Sequence, residues 1–376
     1  MMKKFLILSF LIAFVGCDVG DDDATTATDT EQDSEDTNGE NPDRTVNFDL
    51  TVLSRPVNAV YSSVVLTEGE IQGPVLNLNE DMNMDTGVVF RSEPPNLIFY
   101  RPSFFNRVWV RDVRTGDSSP FNEFFQPEVD PVSISTVASS SHIVTFYRDR
   151  FNEDIYRMDS YNMAEGVEAP LYETLEALST VHIDRNKFML TYVDQDQRLI
   201  LEAFDLNSRT KVLETDITSL IGYTFSGDFI YLFGNGVVRI FDYNIGKLGS
   251  PQGILENINR GGFFDTELVG NRLYYRFAYA QPNLLIEGPA YYDLDQGANT
   301  IFDLFTFVDY LESNGQNLLN PGPIEINSEE EVIVFAYSYI EAGNTEAQWA
   351  VAYLDYGLQL IKTTDIPIEP AALVLH

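Results

Sequence analysis

Cysteine, histidine and basic residues are scarce in this sequence of 376 residues, and each shortage excludes a class of protein. A single cysteine cannot form an internal disulfide or build a cysteine-rich zinc or iron–sulfur site. Three histidines leave little material for an imidazole-based metal cage. With 23 Lys and Arg against 58 Asp and Glu, the formal charge of -35 counts against binding to a nucleic-acid backbone. Hydrophobic residues still make up 44% of the chain, which is enough for a packed core.

A long hydrophobic run is also missing, because the apolar segment Phe5 to Val15 covers only about 16 Å as a helix. Lys3 and Lys4 precede this segment, and the pattern is typical of a secretory signal peptide. The sequence Phe14-Val15-Gly16-Cys17 resembles the lipobox of bacterial lipoproteins, with Phe14 where leucine is usual. The resemblance implies that residues 1–16 are removed and that Cys17 carries lipid such as palmitate. The alternative is an ordinary signal peptide with a chance cysteine.

Residues 17–44 are predicted to form the lipidated cysteine and an acidic, disordered linker. The stretch Asp18 to Asp43 contains eleven Asp or Glu and no Lys or Arg, so it repels itself and lacks apolar surface. A chain of this length reaches roughly 25 to 30 Å and would lift a domain off the membrane. As a sorting address, Asp18 resembles an inner-membrane retention signal, whereas Asp21-Asp22-Asp23 resembles the surface-export signal of Bacteroidetes lipoproteins. We expect a spacer in the bacterial cell envelope, at the outer membrane or cell surface rather than the inner membrane.

From residue 45 onward, short β-branched and aromatic runs alternate with Asn, Asp, Gly and Pro turns, which predicts an all-β domain. One unit recurs there, in which a strand ends in an aspartate and Gly or Asn follows within a few residues. A second, more apolar strand precedes each aspartate, and the aspartates are spaced by 49 residues on average. They are Asp112, Asp159, Asp205, Asp242, Asp293 and Asp355.

Four-stranded blades of about 40 to 50 residues around an axis are the β-propeller architecture. Six units are visible, and Val46 to Asn79 has room for one more without the aspartate. Residues 45–376 therefore predict a β-propeller of seven four-stranded blades, with six or eight also compatible. A pair of β-sandwiches is the alternative, but it does not predict one repeated unit. The unit resembles β-propellers in general and lacks WD40, kelch and YVTN signatures, so the resemblance carries over no functional residue.

Two further elements follow from local patterns. The apolar run Ala371 to Leu375 is predicted to add a strand to the first blade and to close the ring. The segment Phe302 to Glu312 has apolar residues at helical spacing, which predicts a short helix inserted in a long loop. That insertion accounts for the spacing of 62 residues between Asp293 and Asp355.

One stretch has the spacing of a metal site. The pattern Asp81-x-Asn83-x-Asp85-x-Gly87 resembles the first half of a calcium loop, although the glycine is one position late and Ser92 replaces the final Glu. Asp81, Asn83 and Asp85 are therefore candidate calcium ligands, and the simpler interpretation is a turn rich in Asn and Asp. Calcium is the only cofactor that the sequence suggests.

No catalytic or cofactor-binding residue can be predicted. The chain has no G-x-S-x-G elbow and no phosphate-binding glycine loop, and 47 acidic residues in the domain leave the choice of a carboxylate pair open. We interpret His142 and His182 as packed or surface histidines and assign no role to His376. Of adjacent aromatic residues such as Tyr274-Tyr275 and Tyr291-Tyr292, one of each pair is expected to pack between blades.

Signal and fold together favour a lipid-anchored envelope protein whose propeller binds a protein, peptide or glycan through its loops. The alternative is a carbohydrate-active enzyme, which needs two carboxylates that converge on the central channel. A structural surface-layer or adhesion component is a third interpretation. The expected partners are the membrane, through Cys17, and one envelope protein, peptide or glycan, but not nucleic acid.

Overall fold

The computed structural model describes residues 44–54, 60–83, 89–93, 96–101, 104–122, 131–149, 152–176, 178–218, 220–226, 228–234, 237–249, 266–280 and 287–376. They belong to a compact unit, Asn38–His376. Cys17 and the acidic linker lie outside the described residues. The described part forms seven antiparallel four-stranded sheets, which we call blades 1 to 7. The predicted all-β propeller with seven blades is therefore confirmed.

Apart from the closing strand of blade 1, the strands of each blade follow one another in the chain. Blade 1 contains β1 (Asp49–Ser54), β2 (Ser62–Thr67) and β3 (Glu70–Asn77). Blade 2 contains β4 (Val89–Glu93), β5 (Asn96–Arg101), β6 (Phe104–Asp112) and β7 (Ser118–Asn122). Blade 3 contains β8 (Pro131–Ala138), β9 (His142–Asp149), β10 (Asn152–Asn162) and β11 (Val167–Thr174). Blade 4 contains β12 (Leu178–Asp184), β13 (Lys187–Val193), β14 (Leu199–Asp205) and β15 (Thr210–Asp216).

Blade 5 contains β16 (Leu220–Ser226), β17 (Phe229–Gly234), β18 (Val237–Asp242) and β19 (Lys247–Leu248). Blade 6 contains β20 (Thr266–Val269), β21 (Arg272–Ala278), β22 (Glu287–Asp293) and β23 (Ala298–Ile301). Blade 7 contains β24 (Gln316–Asn327), β25 (Val332–Glu341), β26 (Gln348–Asp355) and β27 (Leu360–Ile366). The last strand, β28 (Pro370–Leu375), completes blade 1. Two helices are described, α1 (Leu78–Asp81) and α2 (Leu304–Ser313).

The ring closes where β28 pairs with β1. Leu375 lies opposite Leu50 and Leu373 opposite Val52 in an antiparallel register. Just beyond this pairing, the backbones of Asp49 and His376 exchange two hydrogen bonds, at 3.2 and 3.0 Å. The predicted closing strand is confirmed, and β28 occupies the place of a first strand, so no first-strand edge of blade 1 is left open.

The first strands of the blades surround a common axis, and apolar side chains fill the spaces between blades. Contacts join β4 to β8, β8 to β12, β16 to β20 and β24 to β28. Tyr274 and Tyr291 pack into the core shared with blade 7, whereas Tyr275 and Tyr292 pack into the core shared with blade 5. Both members of each pair are buried, not one, because a central strand of a propeller has a neighbouring blade on each face.

The repeated aspartate ends the third strand of its blade in five of the six units. These residues are Asp112, Asp205, Asp242, Asp293 and Asp355. In blade 3 the assignment of Asp159 is wrong, because β10 continues to Asn162. The side-chain oxygen of Asn162 accepts hydrogen bonds from the N–H groups of Ala164 and Glu165, at 3.0 and 3.1 Å, as the aspartates do elsewhere. Asp159 instead accepts a hydrogen bond of 2.6 Å from the Tyr147 hydroxyl.

The predicted helix between blades 6 and 7 is confirmed as α2. Asp303 caps it, since its Oδ1 accepts hydrogen bonds from the N–H groups of Phe305 and Thr306 at 3.1 and 3.2 Å. Leu304, Phe307 and Leu311 are buried against blade 7. Within the described ranges, no helix is long and apolar enough to cross a membrane.

Candidate functional site

A cavity of about 740 Å³ is lined by residues of blades 6, 7 and 1; we call it the outer cavity. Every blade has four antiparallel strands in the same order, so the first strands of all blades run in one direction. Their C-terminal ends therefore lie on one side of the ring, which is the side of this cavity. The cavity is lined by part of β20, the end of β24 with its following turn, the end of β28, and the residues leading into β1. It therefore depends on ring closure, which brings both ends of the propeller domain to one place.

The lining of the outer cavity is strongly acidic. Phe48, Ile326 and Leu375 contribute apolar surface, and the described lining includes no Lys or Arg. Five carboxyl side chains contribute to it, those of Asp49, Glu267, Glu325, Glu329 and Glu330. Such a surface attracts cations and repels anions.

The turn that carries two of these carboxylates is fixed by its own hydrogen bonds. The side-chain oxygen of Asn327 accepts hydrogen bonds from the N–H groups of Glu329 and Glu330, at 3.1 and 3.0 Å. Arg44 donates to the carbonyl oxygens of Glu330 and Glu331, at 3.1 and 3.0 Å. The backbone of the turn is thus held from both sides, while the carboxylates remain available to the cavity.

His376, to which the sequence assigned no role, lines the same cavity. Its Nε2 lies 2.9 Å from the Thr51 hydroxyl oxygen. Burial lowers the pKa of the imidazole, against the opposing effect of Asp49, so the ring is mainly neutral at neutral pH. His376 therefore adds a polar group to the cavity without offsetting its negative charge.

A second, smaller cavity of about 180 Å³ adjoins the first; we call it the inner cavity. Glu267, Glu325 and Ile326 line both cavities and mark the junction between them. Beyond the junction the inner cavity is lined by Tyr274, Tyr275, Arg276, Pro289 and Ala290 of blade 6 and by Ile324 and Ile333 of blade 7. It is therefore a space between two blades that is lined by both polar and apolar side chains.

Glu267 is the most perturbed acidic group at this site. It lies on β20 opposite Tyr274, and burial raises the pKa of its carboxyl group to about 7. Within the described part of the chain, no residue donates a hydrogen bond to this carboxyl group, so nothing there offsets the cost of removing its charge from water. Neutral and ionised forms are therefore both populated near pH 7, a property that clusters at functional sites.

The wall around Glu267 is held by aromatic and ionic contacts. The Tyr274 ring packs against Tyr356 with a centroid distance of 5.0 Å. Arg276 pairs with Glu287, with 3.9 Å between Nη1 and Oε2. The positive charge that reaches the inner cavity thus has a carboxylate partner of its own.

The candidate calcium ligands are only partly within the described residues. Asp81 ends α1, and its carboxylate pairs with the buried guanidinium of Arg111, which also donates to the Ser118 hydroxyl at 3.0 Å. Asn83 follows with a φ of 50°, and Asp85 lies outside the described ranges. Among the residues that can be described, no three His, Cys, Asp or Glu side chains come together as a metal site would require. The calcium site therefore stays a prediction.

Glu202 is a second unusual carboxylate, away from both cavities. It is 1% exposed in the core between blades 3 and 4, and its Oε1 accepts hydrogen bonds from Lys211 at 2.9 Å and from Tyr192 at 3.2 Å. Tyr172 of blade 3 donates to the same oxygen at 3.4 Å. These contacts join two blades, so we interpret Glu202 as a structural residue.

His142 and His182 are also packed residues. His142 is buried, with 2.9 Å between its Nδ1 and the Ser141 hydroxyl oxygen. The ring of His182 meets Tyr223 edge-on at a centroid distance of 5.7 Å. Neither histidine lines the outer or the inner cavity.

No protein-family model matches this sequence, and no curated protein sequence matches it. Many solved structures resemble the propeller. The β-propeller domain of the Trilobed protease from Pyrococcus furiosus is 12% identical with a TM-score of 0.47, covering 84% of this chain and 93% of that chain. An oligogalacturonate lyase in complex with manganese is 10% identical with a TM-score of 0.47, covering 82% and 92%. The WD40 domain of SCAP from fission yeast is 9% identical with a TM-score of 0.42, covering 86% and 88%.

At these identities and TM-scores the likeness gives no information on function. The seven four-stranded sheets and the pairing of β28 with β1 establish by themselves that the chain forms a β-propeller.

Proposed function

We propose that this protein is a lipid-anchored binding module of the bacterial cell envelope, whose outer cavity receives a basic segment of a protein or peptide. One observation carries the proposal: five carboxyl side chains, and no Lys or Arg among the described lining, surround a cavity of about 740 Å³ between blades 6, 7 and 1. Loops of several blades meet on each face of a propeller, and loops on a rigid scaffold commonly carry binding sites.

Charge and shape both favour a basic ligand over an anionic one. Lys and Arg combine an apolar stem with a charged end, and the lining offers Phe48, Ile326 and Leu375 beside the carboxylates. The overall charge of -35 would accelerate the encounter with a cationic partner at low ionic strength. A glycan without positive charge would gain nothing from these carboxylates except hydrogen bonds.

The binding test uses the full chain with Cys17→Ser, which removes the proposed lipid and leaves the propeller intact. Fluorescence anisotropy would measure the affinity for a lysine-rich peptide and for a glutamate-rich peptide of the same length. We expect only the lysine-rich peptide to bind, and we expect the double variant Glu329→Gln/Glu330→Gln to bind it about 5- to 10-fold more weakly.

The matched control is Asp309→Asn/Glu312→Gln, which removes two exposed carboxylates from α2. Helix α2 lies in the connection from blade 6 to blade 7, at the opposite end of the strands from the outer cavity. An equal loss of affinity in both double variants would show general charge attraction rather than a site. Equal binding of the acidic peptide would exclude a cation site altogether.

The proposed anchor and location need a separate test. Growth with a fatty-acid analogue should label the wild type and spare the Cys17→Ser variant, because only the cysteine can carry the lipid. Fractionation should then place the labelled protein at the outer membrane or cell surface. Equal labelling of both proteins would exclude lipidation at Cys17.

One observation favours a carbohydrate-active enzyme as the second candidate. Glu267 and Glu325 line the same two cavities, and a carboxyl group with a pKa of about 7 suits a general acid. The inner cavity has room for about six water-sized groups, fewer than the atoms of a hexose, so a sugar would have to lie in the outer cavity. Turnover of a glycan that is lost in both Glu267→Gln and Glu325→Gln would establish the enzyme.

A further inference from the structure

The inner cavity is a gap between the facing sides of blades 6 and 7. Side chains alternate along a strand, and Tyr274 lies on the face of β21 that packs against blade 7. Arg276, two positions later, lies on the same face, as does Glu267, which pairs with Tyr274 across β20 and β21. Blade 6 therefore presents one acidic and one basic side chain to this gap.

The opposite wall of the inner cavity belongs to blade 7 and is apolar. Ile324, Ile326 and Ile333 line the cavity from β24 and β25, and all three pack in the core cluster that contains Tyr274. Glu325 also contributes to the lining, but strand alternation turns its side chain toward the other face of β24. The two charged side chains of blade 6 therefore face three isoleucines.

Both charged groups can take a further partner. Glu267 and Arg276 stand in diagonal positions of neighbouring strands, which lie about 7 to 8 Å apart. The described ion pair of Arg276 is with Glu287 on its other side, with 3.9 Å between Nη1 and Oε2. Because a guanidinium group has five N–H donors, Arg276 can bind Glu287 and another acceptor at the same time. No described residue donates a hydrogen bond to the Glu267 carboxyl group.

The space itself is the second part of the argument. Protein interiors are close-packed, so a gap of about 180 Å³ between two blades departs from ordinary packing at the place where these charges lie. Partly buried charges that face an apolar wall are costly unless each of them meets a partner. A ligand with an ammonium group, a carboxylate and a small apolar part would complement Glu267, Arg276 and the isoleucines together.

We infer that the inner cavity is a binding site for a small zwitterion, namely a free α-amino acid with a short aliphatic side chain. Glu267 lies at the junction with the outer cavity, whereas Arg276 lines the inner cavity alone. The ammonium group therefore stays near the entrance, and the carboxylate points inward to the guanidinium group. Room for about six water-sized groups fits alanine, whereas phenylalanine exceeds it. This site concerns another cavity and another ligand than the proposed peptide binding and does not depend on it.

The first experiment compares ligands on one protein, the full chain with Cys17→Ser. Calorimetric titration measures the affinity for L-alanine, and competition with bound L-alanine measures L-alaninamide, propionate and L-phenylalanine. L-alaninamide lacks the carboxylate and propionate lacks the ammonium group, so each should bind at least about 10-fold more weakly than L-alanine. L-phenylalanine should not compete, because its ring exceeds the cavity. Absence of L-alanine binding, or equal competition by L-alaninamide, would overturn the inference.

The second experiment tests the two charged contacts separately. Arg276→Gln and Glu267→Gln should each weaken L-alanine binding about 10-fold or more. Arg276→Gln should also lose the preference for L-alanine over L-alaninamide, and Glu267→Gln the preference for L-alanine over propionate. A variant that binds L-alanine more weakly but keeps the matching preference would show an effect on structure alone and overturn the assigned contact. Glu329→Gln/Glu330→Gln is the control, and a loss of L-alanine binding in it would place the ligand in the outer cavity instead.

The third experiment changes the size of the cavity and leaves both charges in place. Ile324→Ala should shift the ratio of the affinities for L-leucine and L-alanine toward L-leucine by about 10-fold, because the larger side chain gains room. Ile301→Ala is the matched control, since Ile301 lies on β23 of blade 6 and does not line the cavity. Near-UV circular dichroism verifies that both variants are folded. A ratio that is unchanged in Ile324→Ala, or equally changed in Ile301→Ala, would overturn the placement of the amino acid in the inner cavity.

Discussion

Because burial raises the pKa of Glu267 to about 7, the folded protein holds a proton that the unfolded chain has already released at the same pH. This contribution to stability is fully present below the ordinary pKa of glutamate and is lost as the pH rises through 7. Its full size is about 3 kcal/mol at most. Glu267→Gln cannot ionise at this position. Its free energy of unfolding minus that of the wild type should therefore increase by up to about 3 kcal/mol between pH 4 and pH 8.5.

Urea unfolding at several pH values would measure this difference. Glu329→Gln is the control, because Glu329 is an exposed residue of the same cavity. The difference between the unfolding free energies of Glu329→Gln and the wild type should vary little over this pH range. A constant difference between Glu267→Gln and the wild type would mean that Glu267 ionises as an ordinary glutamate.

The buried carboxylate of Glu202 gives a second prediction about a single residue. Lys211→Met removes the cation that pairs with Glu202 Oε1 among the described residues, and the second oxygen, Oε2, has no described partner. An uncompensated charge in the core between blades 3 and 4 should cost about 2 kcal/mol of unfolding free energy. In a Glu202→Gln background the same change should cost less than about 1 kcal/mol, since no charge is left unpaired.

A double-mutant cycle from thermal or urea unfolding measures this coupling. The expected interaction energy between the two positions is about 1 kcal/mol or more. Equal costs of Lys211→Met in both backgrounds would show that Lys211 contributes only through its packing.

At the residue scale the sequence could not single out Glu267. It is one of 47 acidic residues in the domain, and its local neighbours Thr266 and Leu268 are ordinary for a strand. It shares the lining of a cavity with Ile324 and Ile326, more than 50 positions away, which only the packing of blade 7 on blade 6 brings near. A glutamate within the short strand Thr266–Val269 was the available signal, and it is weak.

The turns that follow the third strands of the blades give a prediction about secondary-structure elements. Gly297 stands four residues after Asp293 with a φ of 64°, and Arg209 holds the matching position after Asp205 with a φ of 56°. Gly297→Ala should lower the unfolding free energy by about 1 kcal/mol, because the left-handed region disfavours a Cβ atom. A Cβ at this position would meet only the Tyr292 hydroxyl at 3.5 Å, so the cost is conformational and not steric.

Arg209→Gly is the matched variant, since it relieves the same strain in blade 4. Its unfolding free energy should stay unchanged or rise by about 0.5 kcal/mol. Opposite signs of the two changes in urea unfolding support the explanation. A loss of similar size in both variants would mean that side-chain contacts, and not backbone conformation, decide stability at these turns.

The same turns show which secondary-structure features could be predicted from sequence patterns. The aspartate pattern predicts the end of the third strand of blade 3 three residues too early, at Asp159, because Asn162 forms the turn there with an amide oxygen in place of a carboxylate. The pattern required an aspartate, whereas the turn requires only a side-chain oxygen that accepts hydrogen bonds. Helix α2 was predictable because its apolar spacing is local.

Across the whole molecule, the blade count and the closing strand were predictable from repetition, since each blade uses the same strand order. The outer cavity was not. It exists because Asp49 and His376 meet when β28 joins β1, and because blades 6 and 7 flank that junction. No local pattern relates residues that are 327 positions apart, so the site could only emerge from the closed ring.

Closure of the ring can itself be tested through Leu373. This residue is buried opposite Val52 and packs in the core between blades 7 and 1. Leu373→Ala should therefore lower the unfolding free energy by about 3 kcal/mol and, by loosening β28, weaken binding of the lysine-rich peptide in the outer cavity. Ala371→Ser changes an exposed residue of the same strand and should alter stability by less than about 0.5 kcal/mol, with binding unchanged. A Leu373→Ala variant that is destabilised but binds as the wild type would show that the cavity does not depend on the packing of the closing strand.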